Sequence, residues 1–341
     1  MHLHAWNRIF RTEKERSQQG MNEKIFIGID GGGTHSTAVA VWPDGRIAAA
    51  AYGGGMNYHN IGVEPVRMCL EGLVEELCRK AGSEAEMICV GMSALDGPAD
   101  EETLSLFAGG ALSREQLDLQ SDAYVALMGC TMGKPGMIVI CGTGSMLVLM
   151  DEKGNQQVGG GWGYLLGDAG SGYTLARAGL MAAIDYAEGL AEYTPLLKDA
   201  LSYYNIDAPR KLIDCVYAPD FTPDQLAGFA RHVLAHAQEG ERGSLQILKE
   251  NMERLAALSA CMLGKYPEAK RVGLYGGIFA HSELAKEFFE KALWEKAPDA
   301  QVEFPEYPPE LGAVIHLFQQ KGMLNESVLS NMKSTYKEYV K

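Results

Sequence analysis

The chain has 341 residues, 47% of them hydrophobic and 22% charged, which is the composition of an ordinary globular protein with room for two domains. Lysine and arginine number 30 against 44 aspartate and glutamate residues, so the formal net charge is −14 at pH 7. This acidic balance argues against a nucleic-acid binder and against binding to an anionic membrane, because both interactions need a basic face.

Residues 1–20 are polar and mixed in charge, and they lack the apolar core of a signal peptide. Met21 directly precedes the first predicted strand. We therefore expect residues 1–20 to be a disordered tail or a misassigned start. No apolar run reaches the ~20 residues of a membrane span, so we expect a cytoplasmic protein.

The first predicted elements are strands over residues 24–30 and 37–42, with a glycine turn between them and a Pro-Asp-Gly turn after them. The glycine turn consists of Gly31, Gly32, Gly33 and Thr34. Glycine has no Cβ and can take positive φ, so this turn can bring several backbone N–H groups close to a phosphate. Thr34 adds a hydroxyl donor, and the carboxylate of Asp30 suits a hydrated Mg²⁺ that accompanies nucleotide phosphates. A tight hairpin with spare glycines is the alternative.

A polar, glycine-rich loop over residues 53–62 comes next, and helical spacing begins at residues 64–80. A polar loop beside a phosphate-binding turn is a suitable place for substrate contacts, and Asn57 is the candidate there. The alternative is that Asn57 bonds its own backbone, as loop asparagines commonly do.

Two further strands are predicted over residues 87–92 and 117–122, with a helix over residues 101–111 between them. Asp122 therefore lies at the carboxyl end of a strand and at the amino end of the next helix. This position suits a helix N-cap, for which aspartate is among the best residues. It also suits a general base, because strand ends in α/β folds face the ligand.

The pattern of the first strands then recurs. Strands over residues 137–141 and 146–150 flank a turn that consists of Gly142, Thr143, Gly144 and Ser145. From Thr143 to Gly154 is eleven residues, the same separation as from Thr34 to Gly45. The repeat predicts a duplicated domain, and two such domains can hold one polyphosphate from opposite sides.

Residues 158–172 are unusually rich in glycine, a composition that costs folding entropy and favours a functional role. Within this segment Asp168 can hydrogen-bond a polyol, and Trp162 can form a pocket wall. A helix is predicted to follow over residues 173–188, and residues 190–265 are predicted to be mostly helical.

A strand over residues 271–275 ends in Gly276 and Gly277, and a helix over residues 282–292 follows, an arrangement that suits a nucleotide. The last predicted elements are a strand over residues 302–304, a helix over residues 311–320, and a helix or frayed tail over residues 325–341 that packs back on the first domain.

The seven cysteines form no Cys-x-x-Cys pair and show no metal-ligand spacing with histidine. They fit reduced thiols, and we expect neither structural disulfides nor zinc. His232 and His236 are four residues apart on a predicted helix, but residue 233 is valine where a zinc-protease helix has glutamate. The pair therefore predicts an ordinary helix face.

Together these motifs resemble the N-acetylglucosamine kinase family, in the BadF/BadG/BcrA/BcrD-type branch of the actin-like ATPase superfamily. The resemblance covers residues 24–320 and rests on the segments 30–34, 121–123, 141–145, 160–171 and 276–277. It implies an α/β protein with a duplicated actin-like ATPase (ribonuclease H-like) fold and a central interdomain cleft. The expected domains are residues 21–128 and 129–325, with residues 326–341 as a C-terminal helix or tail.

The resemblance also implies roles for individual residues. Segment 30–34 would be the first phosphate loop, segment 142–145 the second, and Gly276 with Gly277 part of the adenosine motif. Asp122 would be the base that accepts the proton of the sugar 6-hydroxyl, and Asp30 would hold Mg²⁺ through water. The residues expected to contact the sugar are Asn57, Ser93, Asp122, Gly163 and Asp168.

We therefore expect an ATP- and Mg²⁺-dependent kinase that phosphorylates an amino sugar, with oxygen 6 of N-acetylglucosamine as the first choice and a homodimer as the family-level assembly. This chain has Ser93-Ala94-Leu95 where family members have Ser-Gly-Gly beside the sugar, so N-acetylmuramic acid and glucosamine stay open as substrates. A reductive-dehydratase activator, a sugar sensor and a chaperone-like ATPase are the alternatives from other classes.

Overall fold

The computed structural model describes residues 23–110 and 112–340, so the predicted tail over residues 1–20 lies outside the described residues. The described chain contains ten strands: β1 (Ile25–Gly31), β2 (His35–Val41), β3 (Ile47–Gly54), β4 (Ala85–Met92), β5 (Leu117–Ser121), β6 (Gly136–Cys141), β7 (Ser145–Met150), β8 (Gln156–Gly160), β9 (Arg271–Tyr275) and β10 (Gln301–Glu303).

The same residues form fourteen α-helices: α1 (Tyr58–Ile61), α2 (Val63–Ala81), α3 (Glu101–Phe107), α4 (Asp122–Thr131), α5 (Gly172–Ala187), α6 (Leu196–Tyr203), α7 (Leu212–Val216), α8 (Pro223–Ala227), α9 (Ala230–Gln238), α10 (Arg242–Lys265), α11 (Gly277–His281), α12 (Glu283–Trp294), α13 (Pro309–Gln320) and α14 (Glu326–Tyr339). None of these helices combines the length and the apolar character that crossing a lipid bilayer requires.

The chain divides into two compact units. Unit 1 contains the described residues up to Gly133 together with those from Glu306 onward, and unit 2 contains Lys134–Pro305. Each unit has one five-stranded sheet, in the order β3-β2-β1-β4-β5 in unit 1 and β8-β7-β6-β9-β10 in unit 2. In both sheets the first three strands in sequence are antiparallel neighbours and the last two run parallel to the first. The sheets therefore repeat one topology, as the repeated turn spacing predicts.

The sheet of unit 1 is buried because its strands are nearly continuous apolar runs. Six of the seven residues of β1 are buried, and α2 covers the sheet with an apolar stripe at helical spacing. The buried residues of that stripe are Val66, Leu70, Leu73, Val74 and Leu77.

Helix α13 belongs to unit 1, whereas the expected boundaries assign residues 306–325 to the second domain. The physical reason is close backbone packing at glycines of unit 1. A Cβ on Gly28 would lie 2.1 Å from the carbonyl oxygen of Glu310, and one on Gly312 would lie 1.9 Å from the carbonyl oxygen of Val125. Ten consecutive residues of α13, from Pro309 to Phe318, are buried. The helix is therefore a central layer of unit 1.

Helix α14 packs on the turn between β2 and β3, in agreement with the expectation for the end of the chain. Asn331 Nδ2 donates a hydrogen bond to the carbonyl oxygen of Asp44 at 2.7 Å, and the amide of Ile47 donates to Thr335 Oγ1 at 3.0 Å. The helix begins with Asn325, whose side chain accepts a hydrogen bond from the amide of Val328.

Unit 2 is organised around α5 and α10. Helix α10 buries one face, which includes Leu248, Met252 and Leu255, against the apolar core. Gly179 of α5 allows close packing against α9, since a Cβ there would lie 2.5 Å from Val233 Cγ2. These contacts hold β6 and β7, and with them the glycine turn that joins the two strands, on a rigid base.

Candidate functional site

Three parallel strands of unit 1 end in register. Gly31 of β1 pairs with Met92 of β4, and Met92 pairs with Ser121 of β5. The residues that follow these strand ends, Gly32, Ser93 and Asp122, therefore lie side by side at one edge of the sheet. This is the edge at which α/β folds bind ligands.

The glycine turn at the end of β1 exposes consecutive backbone donors. Among the described contacts, the N–H groups of Gly32, Gly33 and Thr34 have no protein acceptor. None of the three glycines takes positive φ. Gly31 is needed for space instead, because a Cβ there would lie 2.7 Å from the carbonyl oxygen of Gly91, whereas a Cβ on Gly33 would meet nothing within 4 Å. The turn can thus serve as an anion site, for a different steric reason from the one that the sequence suggests.

A group of carboxyls lies beside this turn, two of them half-buried and one buried. Asp30 pairs with Gly91 of β4, and a Cβ on Gly91 would approach the Cα of Asp122 to 3.2 Å, so the glycine lets the two acids come together. Burial raises the pKa of Asp30 to about 7, and the charges of Glu310 and Asp122 add to the shift. The cluster therefore favours a positive charge near Asp30.

Glu310 is a member of this cluster that the sequence analysis did not single out. Its side chain is 4% exposed and accepts a hydrogen bond from Tyr336 Oη of α14. Burial raises the pKa of Glu310 in spite of that hydrogen bond. No local motif marks this residue, since α13 returns to β1 from the far end of the sequence.

Asp122 is the first residue of α4 but does not cap it. Ser121 is the N-cap, and its Oγ accepts a hydrogen bond from the amide of Tyr124 at 3.1 Å. Asp122 Oδ1 accepts from the amide of Ala123 at 2.7 Å. Burial raises the pKa of Asp122, against the effect of its backbone hydrogen bonds, and Asp96 adds to the increase. The carboxylate is therefore available for proton transfer, and the capping role predicted for Asp122 belongs to Ser121.

Asn57 and Ser93 present buried polar atoms that lack protein partners. The amide of Ser93 donates to the carbonyl oxygen of Gly31 at 3.0 Å, and Asn57 Nδ2 donates to the carbonyl oxygen of Ser93 at 3.4 Å. Asn57 Oδ1 and Ser93 Oγ are buried and have no hydrogen-bond partner among the described residues. Asn57 precedes α1 without capping it through its side chain. Buried polar atoms of this kind are normally paired, so both point to a bound ligand.

The second glycine turn lies in unit 2, between β6 and β7. The amide of Gly142 donates to the carbonyl oxygen of Gly144, and Ser145 Oγ donates to the carbonyl oxygen of Ala169. Among the described contacts, the amides of Thr143 and Gly144 have no protein acceptor. The anion-binding capacity of this turn therefore rests on Thr143 and Gly144, with Gly142 and Ser145 holding its shape.

Asp168 packs against the second turn, within unit 2. A Cβ on Gly144 would lie 2.8 Å from Asp168 Oδ2, while Asp168 Oδ1 is buried without a partner among the described residues. The backbone of Asp168 has φ of 60°, and burial raises its pKa against hydrogen bonds from the backbone of Ser145 and Gly163. Asp168, Gly163 and the turn line one cavity of about 320 Å³. Trp162, expected as a pocket wall, is 74% exposed.

A larger cavity of about 510 Å³ lies on the other side of the same turn. Gly277 and the turn residues Gly142 and Thr143 line it. Gly276 has φ of 99°, and a Cβ there would lie 2.5 Å from the carbonyl oxygen of Cys141, so only glycine lets the end of β9 pass the end of β6.

The cavity is also lined by residues that the sequence analysis did not single out. They come from α8, its C-terminal end and α9, and they include Asp224, Gly228, Arg231 and Leu234. The cavity combines an apolar wall, the guanidinium group of Arg231, the carboxylate of Asp224 and the unpaired amide of Thr143. That donor set fits a nucleotide, whose base needs an apolar slot and whose phosphates need N–H groups and a cation.

The sequence pattern of the BadF/BadG/BcrA/BcrD ATPase family matches residues 27–316. The chain belongs to this family. An N-acetylmuramic acid/N-acetylglucosamine kinase of Clostridium acetobutylicum is 28% identical over 298 residues, which cover 86% of this chain and 97% of that protein. An N-acetyl-D-glucosamine kinase of Dictyostelium discoideum is 29% identical over 318 residues, which cover 88% and 100%.

A solved structure is also similar to the present chain. It is that of a candidate N-acetylglucosamine kinase from Chromobacterium violaceum, with a TM-score of 0.69 and 25% identity over 86% of this chain and 99% of that one. The duplicated actin-like ATPase fold expected from the sequence is confirmed by this likeness and by the repeated sheet topology.

Proposed function

We propose that this protein is an ATP-dependent amino-sugar kinase that transfers a phosphoryl group to oxygen 6 of N-acetylglucosamine. The observation that carries the proposal is the edge of the unit 1 sheet, where Asp122 lies beside Ser93 and Asn57. There the half-buried carboxylate of Asp122, which does not cap α4, accompanies two buried oxygens that have no hydrogen-bond partner among the described residues. A polyhydroxylated ligand would supply donors and acceptors for all three groups.

Asp122 is the proposed general base. It would accept the proton of the sugar hydroxyl while that oxygen attacks the terminal phosphorus of ATP and the bond to the leaving phosphate breaks. The raised pKa of Asp122 supports this role, because a base is most effective when its pKa approaches the working pH. Its hydrogen bond from the amide of Ala123 would hold the carboxylate in one orientation.

In unit 2, the turn Gly142–Ser145 and the cavity with Arg231 and Gly277 are the proposed nucleotide site. The amides of Thr143 and Gly144 would donate to phosphate oxygens, and Arg231 would add positive charge. In unit 1, Asp30 is the residue proposed to hold Mg²⁺ through water, and its pKa of about 7 fits a carboxyl that needs a nearby cation. Bound Mg²⁺ would supply charge neutralisation for the phosphates.

The choice of sugar rests on the relatives and on the residues beside Ser93. Both relatives described above carry N-acetylglucosamine in their names, which favours that sugar. Ala94 and Leu95 stand next to Ser93, and Leu95 packs partly on the unit 1 core, so the wall beside the sugar is fuller than two glycines would leave it. N-acetylmuramic acid and glucosamine are therefore the sugars to test alongside.

Coupled ADP release with Mg-ATP tests the function directly. The panel is N-acetylglucosamine, N-acetylmuramic acid, glucosamine, N-acetylmannosamine, glucose and no sugar. We expect turnover that depends strongly on N-acetylglucosamine. ADP release that is equal with every sugar and without sugar would refute the kinase and indicate an ATPase with a different partner.

The base is tested by two neighbouring substitutions. Asp122→Asn should lower kcat by roughly 10²- to 10⁴-fold with little change in stability. Ser121→Ala removes the cap of α4 instead, so it should cost about 1 kcal/mol of unfolding free energy and keep most of kcat. Near-normal turnover by Asp122→Asn would exclude Asp122 as the base.

A further inference from the structure

A second cluster of polar side chains lies in the interior of unit 1, away from the strand ends. Cys89 of β4 and Asp118 of β5 are register partners on adjacent parallel strands, and His316 of α13 faces them. The Cys89 sulfur, a carboxylate oxygen of Asp118 and a ring nitrogen of His316 all lie within 4.8 Å of one another. Asp118 precedes the end of β5 by three residues, or about 10 Å of strand.

Gln320 completes the cluster from the last turn of α13. Its Nε2 lies 2.9 Å from Asp118 Oδ2 and 2.9 Å from His316 Nε2, and those two atoms are 3.0 Å apart. Three polar atoms thus form a nearly equilateral triangle. The Gln320 side chain is exposed, so the cluster has a route to solvent.

With Asp118 ionised and the Gln320 amide in its present orientation, neither protonation state of His316 Nε2 makes all three contacts of the triangle favourable. If His316 Nε2 carries a proton, it faces the amide nitrogen of Gln320 as donor against donor. If His316 Nε2 is unprotonated, it faces the ionised Asp118 carboxylate as acceptor against acceptor. Either arrangement leaves one short contact between two donors or between two acceptors, which is unfavourable in a partly buried position.

A divalent cation removes the conflict. We propose that Cys89, Asp118, His316 and Gln320 form a binding site for a transition-metal ion, with Zn²⁺ as the best chemical match. Rotating the Gln320 amide by half a turn directs its carbonyl oxygen toward the cluster. The four ligand atoms are then one sulfur, one nitrogen and two oxygens. Tetrahedral Zn²⁺ with bonds of about 2.0–2.1 Å needs N and O ligands about 3.3 Å apart, so the triangle has to open by only a few tenths of an ångström.

The surroundings match those of a metal site. Tyr124 Oη lies 3.0 Å from His316 Nδ1, a contact that fixes the ring and leaves Nε2 for the ion. Gln120 Nε2 donates to the other carboxylate oxygen of Asp118 at 2.7 Å. Binding would form the metal–sulfur bond as the thiol proton leaves to solvent. The ion would tie β4, β5 and α13 together, which is a structural role independent of the kinase proposal.

The first experiment uses the full-length protein and the metals themselves. After incubation with ZnSO₄ and desalting, we expect about one retained zinc per chain by elemental analysis. Replacement by Co²⁺ should give a thiolate-to-cobalt charge-transfer band in the near ultraviolet. Cys89→Ala should lose the band, whereas Cys130→Ala, at a buried cysteine of the same unit, should keep it. Absence of both zinc and band from the wild-type protein, or a band that survives Cys89→Ala, would overturn the proposal.

A substitution at the exposed position keeps the test decisive if the buried variants fail to fold. Gln320→Glu adds a second carboxylate beside Asp118. With a metal site, its melting temperature should rise more with ZnSO₄ than that of the wild-type protein, and it should fall below the wild-type value in a chelator. A melting temperature that responds equally to zinc in both proteins would refute Gln320 as a ligand and, with no cobalt band, the site itself.

Discussion

Substitution of Asn57 by alanine separates a ligand contact from a structural role. Asn57 Oδ1 is buried and has no partner among the described residues, while Nδ2 makes one long hydrogen bond of 3.4 Å to the carbonyl oxygen of Ser93. The side chain therefore contributes little to the fold without a ligand. With a sugar bound, the same oxygen would accept a hydrogen bond that nothing else in the protein supplies.

The expected magnitudes follow from these contacts. Asn57→Ala removes a weak hydrogen bond, which costs about 0.5–1.5 kcal/mol, and relieves a buried unpaired oxygen, which returns about 1–3 kcal/mol. The unfolding free energy should therefore stay within about 1 kcal/mol of the wild-type value or rise. Sugar binding should weaken by about 1–3 kcal/mol, or roughly 5- to 150-fold in kcat/KM for the sugar.

Two assays and one control decide this prediction. Urea denaturation without sugar gives the stability, and coupled ADP release gives kcat/KM. Asn331→Ala is the matched control, because Asn331 Nδ2 donates at 2.7 Å to Asp44 in a contact that only the fold uses. It should lose about 1 kcal/mol of stability and keep the wild-type kcat/KM. A loss of stability above 2 kcal/mol in Asn57→Ala, with kcat/KM unchanged, would show that Asn57 is structural.

Three further predictions concern other parts of the molecule. Gly312→Ala should destabilise unit 1 by at least 1–3 kcal/mol in urea denaturation, roughly the cost of overpacking, because its Cβ would lie 1.9 Å from the backbone of α4. Burial disfavours the charged form of His236, but hydrogen bonds to Asp199 and Glu239 outweigh it and raise the pKa above 6.5. The melting-temperature difference between wild type and His236→Gln should therefore be largest below about pH 6.5 and shrink as pH rises; a constant difference contradicts this. Arg231→Ala should raise KM for ATP by roughly tenfold with a smaller change in kcat, and an unchanged KM would remove Arg231 from the nucleotide site.

The proposed phosphate and base residues could be found from the sequence because their signals are local. Asp30 and the glycines after it occupy one strand and one turn, and a second strand and turn repeat the spacing at Thr143 and Gly154. A strand end followed by glycine is a short-range pattern, and the parallel strands bring such ends to one edge whatever lies between them. That is why the sheet duplication and the position of Asp122 at a strand end could be predicted.

The tertiary structure alone decided which residues accompany these motifs. Ser121 rather than Asp122 caps α4, a choice that depends on backbone angles and not on residue preference, because both residues are good caps. Arg231 and Asp224 reach the cavity beside the second glycine turn from helices whose sequence carries no nucleotide motif.

The largest gap between sequence and structure concerns α13. Its contacts with β1 and α4 depend on glycines at Gly28, Gly129 and Gly312, and they return the end of the chain to unit 1. This return places Glu310 beside Asp30 and brings His316 to Asp118, 198 residues away in sequence. Composition and periodicity report what each segment buries, but not which distant segment covers it. The repeated turns could therefore be predicted from the sequence, whereas the buried acid and the proposed metal site could not.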